Sequence, residues 1–154
     1  MDKTRITVGW QEWVSFPDLN LPWLQAKIDS GKKTSILHTF VTEPFEKAGQ
    51  AMVRFGVHPH QNDRDTATLC EAPVTEKREG HNADGEPETH YLIKTTLQMG
   101  NDQWPIKLLL INRDEMKFRL SLGHTAIDGR LLVDPSESFL LGKPPEQEQV
   151  KEKP

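Results

Sequence analysis

Cysteine is nearly absent from this 154-residue sequence: Cys70 stands alone, so no intrachain disulfide can form and the fold must rest on packing. Such usage fits a reducing compartment, and a cytoplasmic location is expected. Long apolar runs are missing too. The longest strongly apolar stretch is Leu108-Leu109-Leu110-Ile111, against the roughly 20 residues that span a bilayer. The opening Met1-Asp2-Lys3-Thr4-Arg5 leads into no apolar signal-peptide core, so no membrane association is expected. Positive charge is not in excess: 19 Lys and Arg face 23 Asp and Glu, for a net charge of −4. No global field draws nucleic acid as a partner. Also lacking are a phosphate-cradling glycine loop, a nucleophile elbow, and a histidine pair four residues apart with an adjacent glutamate.

Six histidines are present, at positions 38, 58, 60, 81, 90 and 124. His58-Pro59-His60 could project two imidazoles to one side, but it opens a polar stretch and shows no ligand spacing. No metal site and no cofactor are expected. A hydrophobic content of 35% with four tryptophans indicates a folded globule, and the length suits one domain. We assign that domain to residues 1–142. The proline- and charge-rich residues 143–154 read as a disordered tail.

The apolar period is short and helical stripes are scarce. Strands are predicted at residues 6–8, 36–41, 52–57, 91–97, 106–111, 118–122 and 131–133. Turn chemistry separates them at Phe16-Pro17-Asp18, Asp84-Gly85, Gly100-Asn101-Asp102 and Asp128-Gly129. The unalternating run 108–111 is expected to lie centrally, covered on both sides. Residues 112–116 read as one helical turn, and 59–66 as a long surface loop. Residues 76–91 read as a hairpin around Asp84-Gly85, either a flap over the site or a plain surface hairpin. Many short strands with such punctuation predict an all-β fold, a sandwich or a closed β-barrel with little helix.

One segment carries chemistry. In Ala26-Lys27-Ile28-Asp29-Ser30-Gly31 a carboxylate ends a short apolar strand and is followed by a hydroxyl residue and a glycine. An aspartic peptidase needs its carboxylate on a rigid turn. Glycine would let a second backbone approach, and the hydroxyl could tie the turn to its partner. Alone, Asp-Ser-Gly is also a common surface turn. Downstream, Leu120-Ser121-Leu122-Gly123 can form the strand that supports such a turn.

The chain resembles the bacterial family labelled ATP-dependent zinc proteases, whose fold is retropepsin-like despite that label. The resemblance is carried in order by Gly9-Trp10-Gln11-Glu12-Trp13-Val14, Phe16-Pro17-Asp18-Leu19 and the Asp29 segment. It continues through Thr34-Ser35-Ile36-Leu37-His38, Glu88-Thr89-His90-Tyr91-Leu92-Ile93 and Asn112-Arg113-Asp114-Glu115-Met116-Lys117-Phe118. It closes with Leu122-Gly123-His124-Thr125-Ala126 and Leu131-Leu132-Val133-Asp134-Pro135.

The resemblance implies a retropepsin-like closed barrel and a peptidase-type domain associated with ATP-grasp ligases that append glutamates. An acidic peptide or polyglutamate chain is then the expected substrate and an ATP-grasp ligase a candidate partner. Asp29, Ser30 and Gly31 become the catalytic residues; Lys27, Lys32, Thr34, Ser35, His90 and Arg113 become the substrate-binding ones. The chain holds one aspartate motif. Either a homodimer pairs two Asp29 side chains that share a proton, or Asp29 works alone with cations nearby. Lys27, two residues earlier on the strand, shares a face with Asp29, and Lys32, Lys33 and Arg113 are expected to add positive charge. The competing reading is a catalytically silent module that binds acidic tails. Ser30 and Lys32 replace the family's threonine and alanine, and His90 and His124 stand where it commonly has arginines. A histidine makes no bidentate carboxylate contact, so the substrate, the strength of anion binding or activity itself is expected to differ from the family norm.

Overall fold

The computed structural model of the chain describes residues 5–60, 63, 65–82, 84–113 and 117–142, with the backbone alone at Pro22. Its strands run in chain order as β1 (Ile6–Val8), β2 (Gln11–Phe16), β3 (Leu21–Ile28), β4 (Ser35–Thr39), β5 (Val41–Lys47) and β6 (Gln50–Val57). They continue as β7 (Thr68–Pro73), β8 (Glu76–His81), β9 (Pro87–Met99), β10 (Asp102–Asn112), β11 (Leu120–Leu122) and β12 (Leu131–Val133). A 3-10 turn, Pro17–Leu19, links β2 to β3, and one short helix, α1 (His124–Ile127), follows β11.

The principal sheet has the order β10-β4-β11-β3-β2-β9-β8, and β9 also pairs with β10. Six strands therefore close into a barrel, and β8 hangs outside it as an added edge. This is the expected all-β closed barrel with little helix. Alternation along the strands fills the interior: Val14, Phe16, Leu24, Leu37, Ile93, Leu97, Met99, Leu108, Leu110, Leu120 and Leu122 are essentially inaccessible. The run 108–111 is central in the hydrogen-bonding sense, flanked by β9 and β4. It is not covered on both faces, because Leu109 and Ile111 are only half-buried. Closure puts one face of each strand inside and leaves the other outside.

Turn chemistry explains two hairpins. Gly100 adopts a left-handed φ of 61° between β9 and β10, and pairing runs outward from Met99 and Asp102. The expected hairpin around Asp84-Gly85 joins β8 to β9, with the Asn82 side chain accepting from the Asp84 and Glu86 amides. A third hairpin, β5–β6, turns at Ala48 and Gly49, both with positive φ. With β7 it makes a separate three-stranded sheet.

The 59–66 segment connects β6 to β7 without regular structure, apart from residues 61, 62 and 64, which lie outside the described residues. Within it the Asp63 carboxylate accepts from the Asp65 amide and from Thr66. Asn112 ends β10 rather than opening a helical turn, and 114–116 lie outside the described residues, as does the tail from 143 onward. No helix among the described residues is long and apolar enough to cross a membrane.

The first and last strands meet. β1 and β12 pair in parallel, and the segment after β12 is strapped down by a buried carboxylate. Glu12, fully inaccessible, accepts from the backbone N–H groups of Gly9 at 2.8 Å, Leu140 at 2.8 Å and Leu141 at 3.1 Å. The strap lies so close that a Cβ on Gly9 would fall 2.2 Å from the Glu137 carbonyl oxygen.

Candidate active site

Asp29 leaves the C-terminal end of β3, where β11 runs alongside in parallel, Leu122 beside Ile28. The Asp29 amide donates to the Leu122 carbonyl at 2.8 Å, and the Lys32 amide returns to the Asp29 carbonyl at 3.1 Å. A tight loop is thereby pinned to β11. Its carboxylate is half-buried and accepts from the Gly31 amide at 3.2 Å. Among the described residues no second carboxylate is bonded to it.

The close backbone approach expected at Gly31 is found elsewhere. A Cβ on Gly31 would meet only Asp29 Oδ1, at 3.5 Å, an ordinary contact. A Cβ on Gly123 would fall 2.8 Å from the carbonyl carbon and oxygen of Thr34 and 2.9 Å from the Lys32 carbonyl oxygen. Gly123 is thus the position where two chain segments cross. The expected hydroxyl tie also moves. Ser30 is exposed and makes no hydrogen bond among the described residues, whereas the buried Ser35 Oγ accepts from the Gly123 amide at 2.9 Å. The loop is fastened further by His124 N to Lys32 O at 2.6 Å, and by Thr125, whose amide and hydroxyl both donate to Lys33 O. The loop backbone is thereby fixed while the Asp29 carboxylate stays accessible, an arrangement suited to a general base.

Lys27 is half-buried on β3 with strand parity that matches Asp29. Lys32 and Lys33 are exposed on the loop, and Thr34 is half-buried beside Gly123. Two expected binding residues are not brought to this turn. β10 runs parallel to β4, from Leu108 beside Ser35 to Asn112 beside Thr39. Arg113, whose amide donates to Thr39 O, therefore lies at the far end of β4, roughly 13 Å along the strand from Ser35. His90 lies toward that end as well. It is buried under Gly80, with Nε2 3.4 Å from Glu88 Oε2, and Glu88 in turn accepts from the Asn112 amide. The β8–β9 hairpin points its tip past this same end, away from Asp29, so it is no flap over the turn. His124 is exposed at the start of α1, and its backbone rather than its ring holds the loop.

Two lysines that no motif marks join Lys33 beside the loop. A cavity of about 500 Å³ opens next to Lys33 and Thr34, with Lys94 of β9 and Lys107 of β10 in its lining. Counting equally outward from the Gly100-Asn101 turn pairs these two lysines, and that count was the signal available. No group of three or more His, Cys, Asp or Glu side chains among the described residues is placed to hold a metal ion.

A closed β-barrel in which an Asp-Ser-Gly loop is pinned by a later strand and crossed at a glycine defines a retropepsin-like domain. Comparison with known proteins agrees. The RimB-like family, described as retropepsin-like aspartic endopeptidase RimB, matches residues 7–144. The chain belongs to that family. It is 46% identical over 138 residues to a protein of Parasynechococcus marenigrum named probable alpha-L-glutamate ligase, covering 90% of this chain and 30% of that protein. A Shewanella pealeana protein of the same name is 40% identical over 143 residues, covering 93% of this chain and 31% of the relative. The chain thus spans about a third of the length of these curated relatives. Among solved structures, a Legionella pneumophila protein of unknown function matches with a TM-score of 0.73 and 27% identity, over 90% of this chain and 99% of that one. Nothing in these matches carries the zinc-protease label.

Proposed function

We propose that the chain is a peptidase-type hydrolase that cleaves an acidic peptide or oligoglutamate chain through water activated by Asp29. The reading is carried by the half-buried Asp29 carboxylate on a loop locked by β11 and Gly123. Membership of a family described as aspartic endopeptidases supports the reaction class. The relatives named as glutamate ligases, in which a like segment forms about a third of the protein, support glutamate chains as substrate and a ligase as partner.

In the single-aspartate form, the Asp29 carboxylate removes a proton from water and the oxygen attacks the scissile carbonyl carbon. The carboxyl then passes that proton to the amide nitrogen as the C–N bond breaks, leaving a carboxylic acid and an amine, which exchange a proton to become carboxylate and ammonium. Lys27, on the same face of β3, would steady the developing oxyanion, and the charge of Lys32 and Lys33 attracts acidic chains. A homodimer pairing two Asp29 carboxylates is the alternative form of the same chemistry; a monomer on sedimentation, or a dimer with these residues far apart, favours the single-aspartate form.

The test is incubation of the full chain with an oligoglutamate of defined length, followed by mass spectrometry. Shortening by the wild type and none by Asp29→Asn is the expected result. Tight, salt-dependent binding with no shortening by either protein would replace this reading with the silent binding module.

A further inference from the structure

The cavity beside the Asp29 loop has an unusual electrostatic lining. Lys33 and Thr34 form one wall with Thr125, Arg78 another, and Lys94, Lys107, Leu92 and Pro105 contribute from β9 and β10. No acidic residue lines it. Arg78 is engaged by Glu76 at 3.1 Å, but Lys33, Lys94 and Lys107 make no ion pair among the described residues.

Lys94 and Lys107 are directly opposite one another across the β9–β10 pair, so their side chains stand on the same face. Like charges in that position destabilise a sheet, and stability alone gives no reason for them. A bound anion removes the repulsion. The lining also contains the exposed ring of Pro105, apolar surface on which methylene stems can rest. No aromatic side chain is present to stack a base. Two cations above aliphatic surface suit carboxylates carried on short hydrocarbon arms.

We propose that the Lys33–Lys94–Lys107 cavity is a docking subsite for glutamate side chains of an acidic peptide, set apart from the bond that Asp29 attacks. The proposal rests on the peptidase reading for its ligand and adds to it a second point of attachment. Lys33 is four residues beyond Asp29, so the two positions are at most about 14 Å apart. An extended peptide covers that distance in about four residues. Binding should therefore strengthen as an oligoglutamate grows past about that length, because only longer chains reach from the Asp29 loop into the cavity.

Fluorescently labelled oligoglutamates of two to eight residues, titrated into the full-length Asp29→Asn chain, separate binding from turnover. The expected result is a rise in affinity with length that flattens in Lys94→Gln/Lys107→Gln, with Kd for the longest peptide raised roughly tenfold. Lys47→Gln, on the exposed β5–β6 hairpin, should leave Kd unchanged. Circular dichroism confirms that the double variant is folded; a misfolded one is replaced by Lys107→Gln alone, read the same way. An unchanged Kd, or equal affinity for an oligonucleotide of matched charge, overturns the proposal. Length-dependent binding through these lysines with no cleavage by the wild type would sink the peptidase reading and leave the subsite standing. Cleavage with a KM untouched by the lysine variants would do the reverse.

Discussion

Removing the Glu12 carboxylate should unfasten the end of the domain by an amount the hydrogen bonds allow us to work out. Glu12 is inaccessible and satisfies three backbone donors at 2.8, 2.8 and 3.1 Å. In Glu12→Gln the single carbonyl oxygen can accept from two of them, and the carboxamide NH₂ then faces the third. One unmet buried donor costs about 1–3 kcal/mol. In Glu12→Ala the Gly9 N–H is stranded in the interior at about 1–3 kcal/mol, and the two bonds from Leu140 and Leu141 to the charged carboxylate are lost as well, partly offset by water, so the loss should reach about 3–5 kcal/mol. Against a typical domain stability of about 5–15 kcal/mol, that is a large share. Urea unfolding followed by the fluorescence of the four tryptophans measures both variants, and limited proteolysis should cut first near residues 137–142. The reasoning fails if both variants lie within 0.5 kcal/mol of wild type, or if alanine is no worse than glutamine.

Two further outcomes are expected. Gly123→Ala pushes a methyl group against the backbone of Thr34 and Lys32, so it should cost about 1–3 kcal/mol in a thermal melt and reduce turnover by moving the Asp29 loop. Gly31→Ala, which meets only an ordinary contact, should be the milder of the two; the reverse order contradicts the assignment of the crossing point. Burial beside Phe55 pushes the Cys70 thiol from 9.0 up to about 12. The folded state thus holds its proton more tightly than the unfolded chain. Stability should be intact below pH 9 and decline as pH rises toward 12, and thiol reagents at neutral pH should react only as the domain opens.

Local chemistry made parts of this architecture readable in the sequence. Gly100-Asn101 marks the β9–β10 hairpin, and Leu120-Ser121-Leu122-Gly123 marks the strand that pins the Asp29 loop, because alternation and turn residues act over a few positions. β8, Glu76 to His81, is almost wholly exposed. It is an edge strand held by main-chain pairing with β9, so no apolar pattern announces it and only the Asp84-Gly85 turn marked its hairpin. β5 hides in the same way behind Pro44 and its charges, and its turn uses Ala48 at a positive φ, which composition does not signal.

The candidate site was legible in the Asp29 loop and less so in its surroundings. Arg113 and His90 looked like neighbours of Asp29 until the parallel register of β4 and β10 set them at the far end of the strand. Lys94 and Lys107 looked like ordinary surface lysines until the hairpin register faced them across β9 and β10. Register between distant strands is a property of the closed barrel, and no single segment encodes it. The roles expected of Ser30 and Gly31 passed to Ser35 and Gly123 for the same reason: the crossing that locks the loop joins residues 88 positions apart.

The measurement that bears most directly on Asp29 is cleavage of an oligoglutamate in ¹⁸O-labelled water. Attack by an activated water predicts one labelled oxygen in the new carboxyl group for each bond broken. It also predicts a rate that falls by about a hundred- to ten-thousandfold in Asp29→Asn. Cleavage by Asp29→Asn at the wild-type rate would contradict the account.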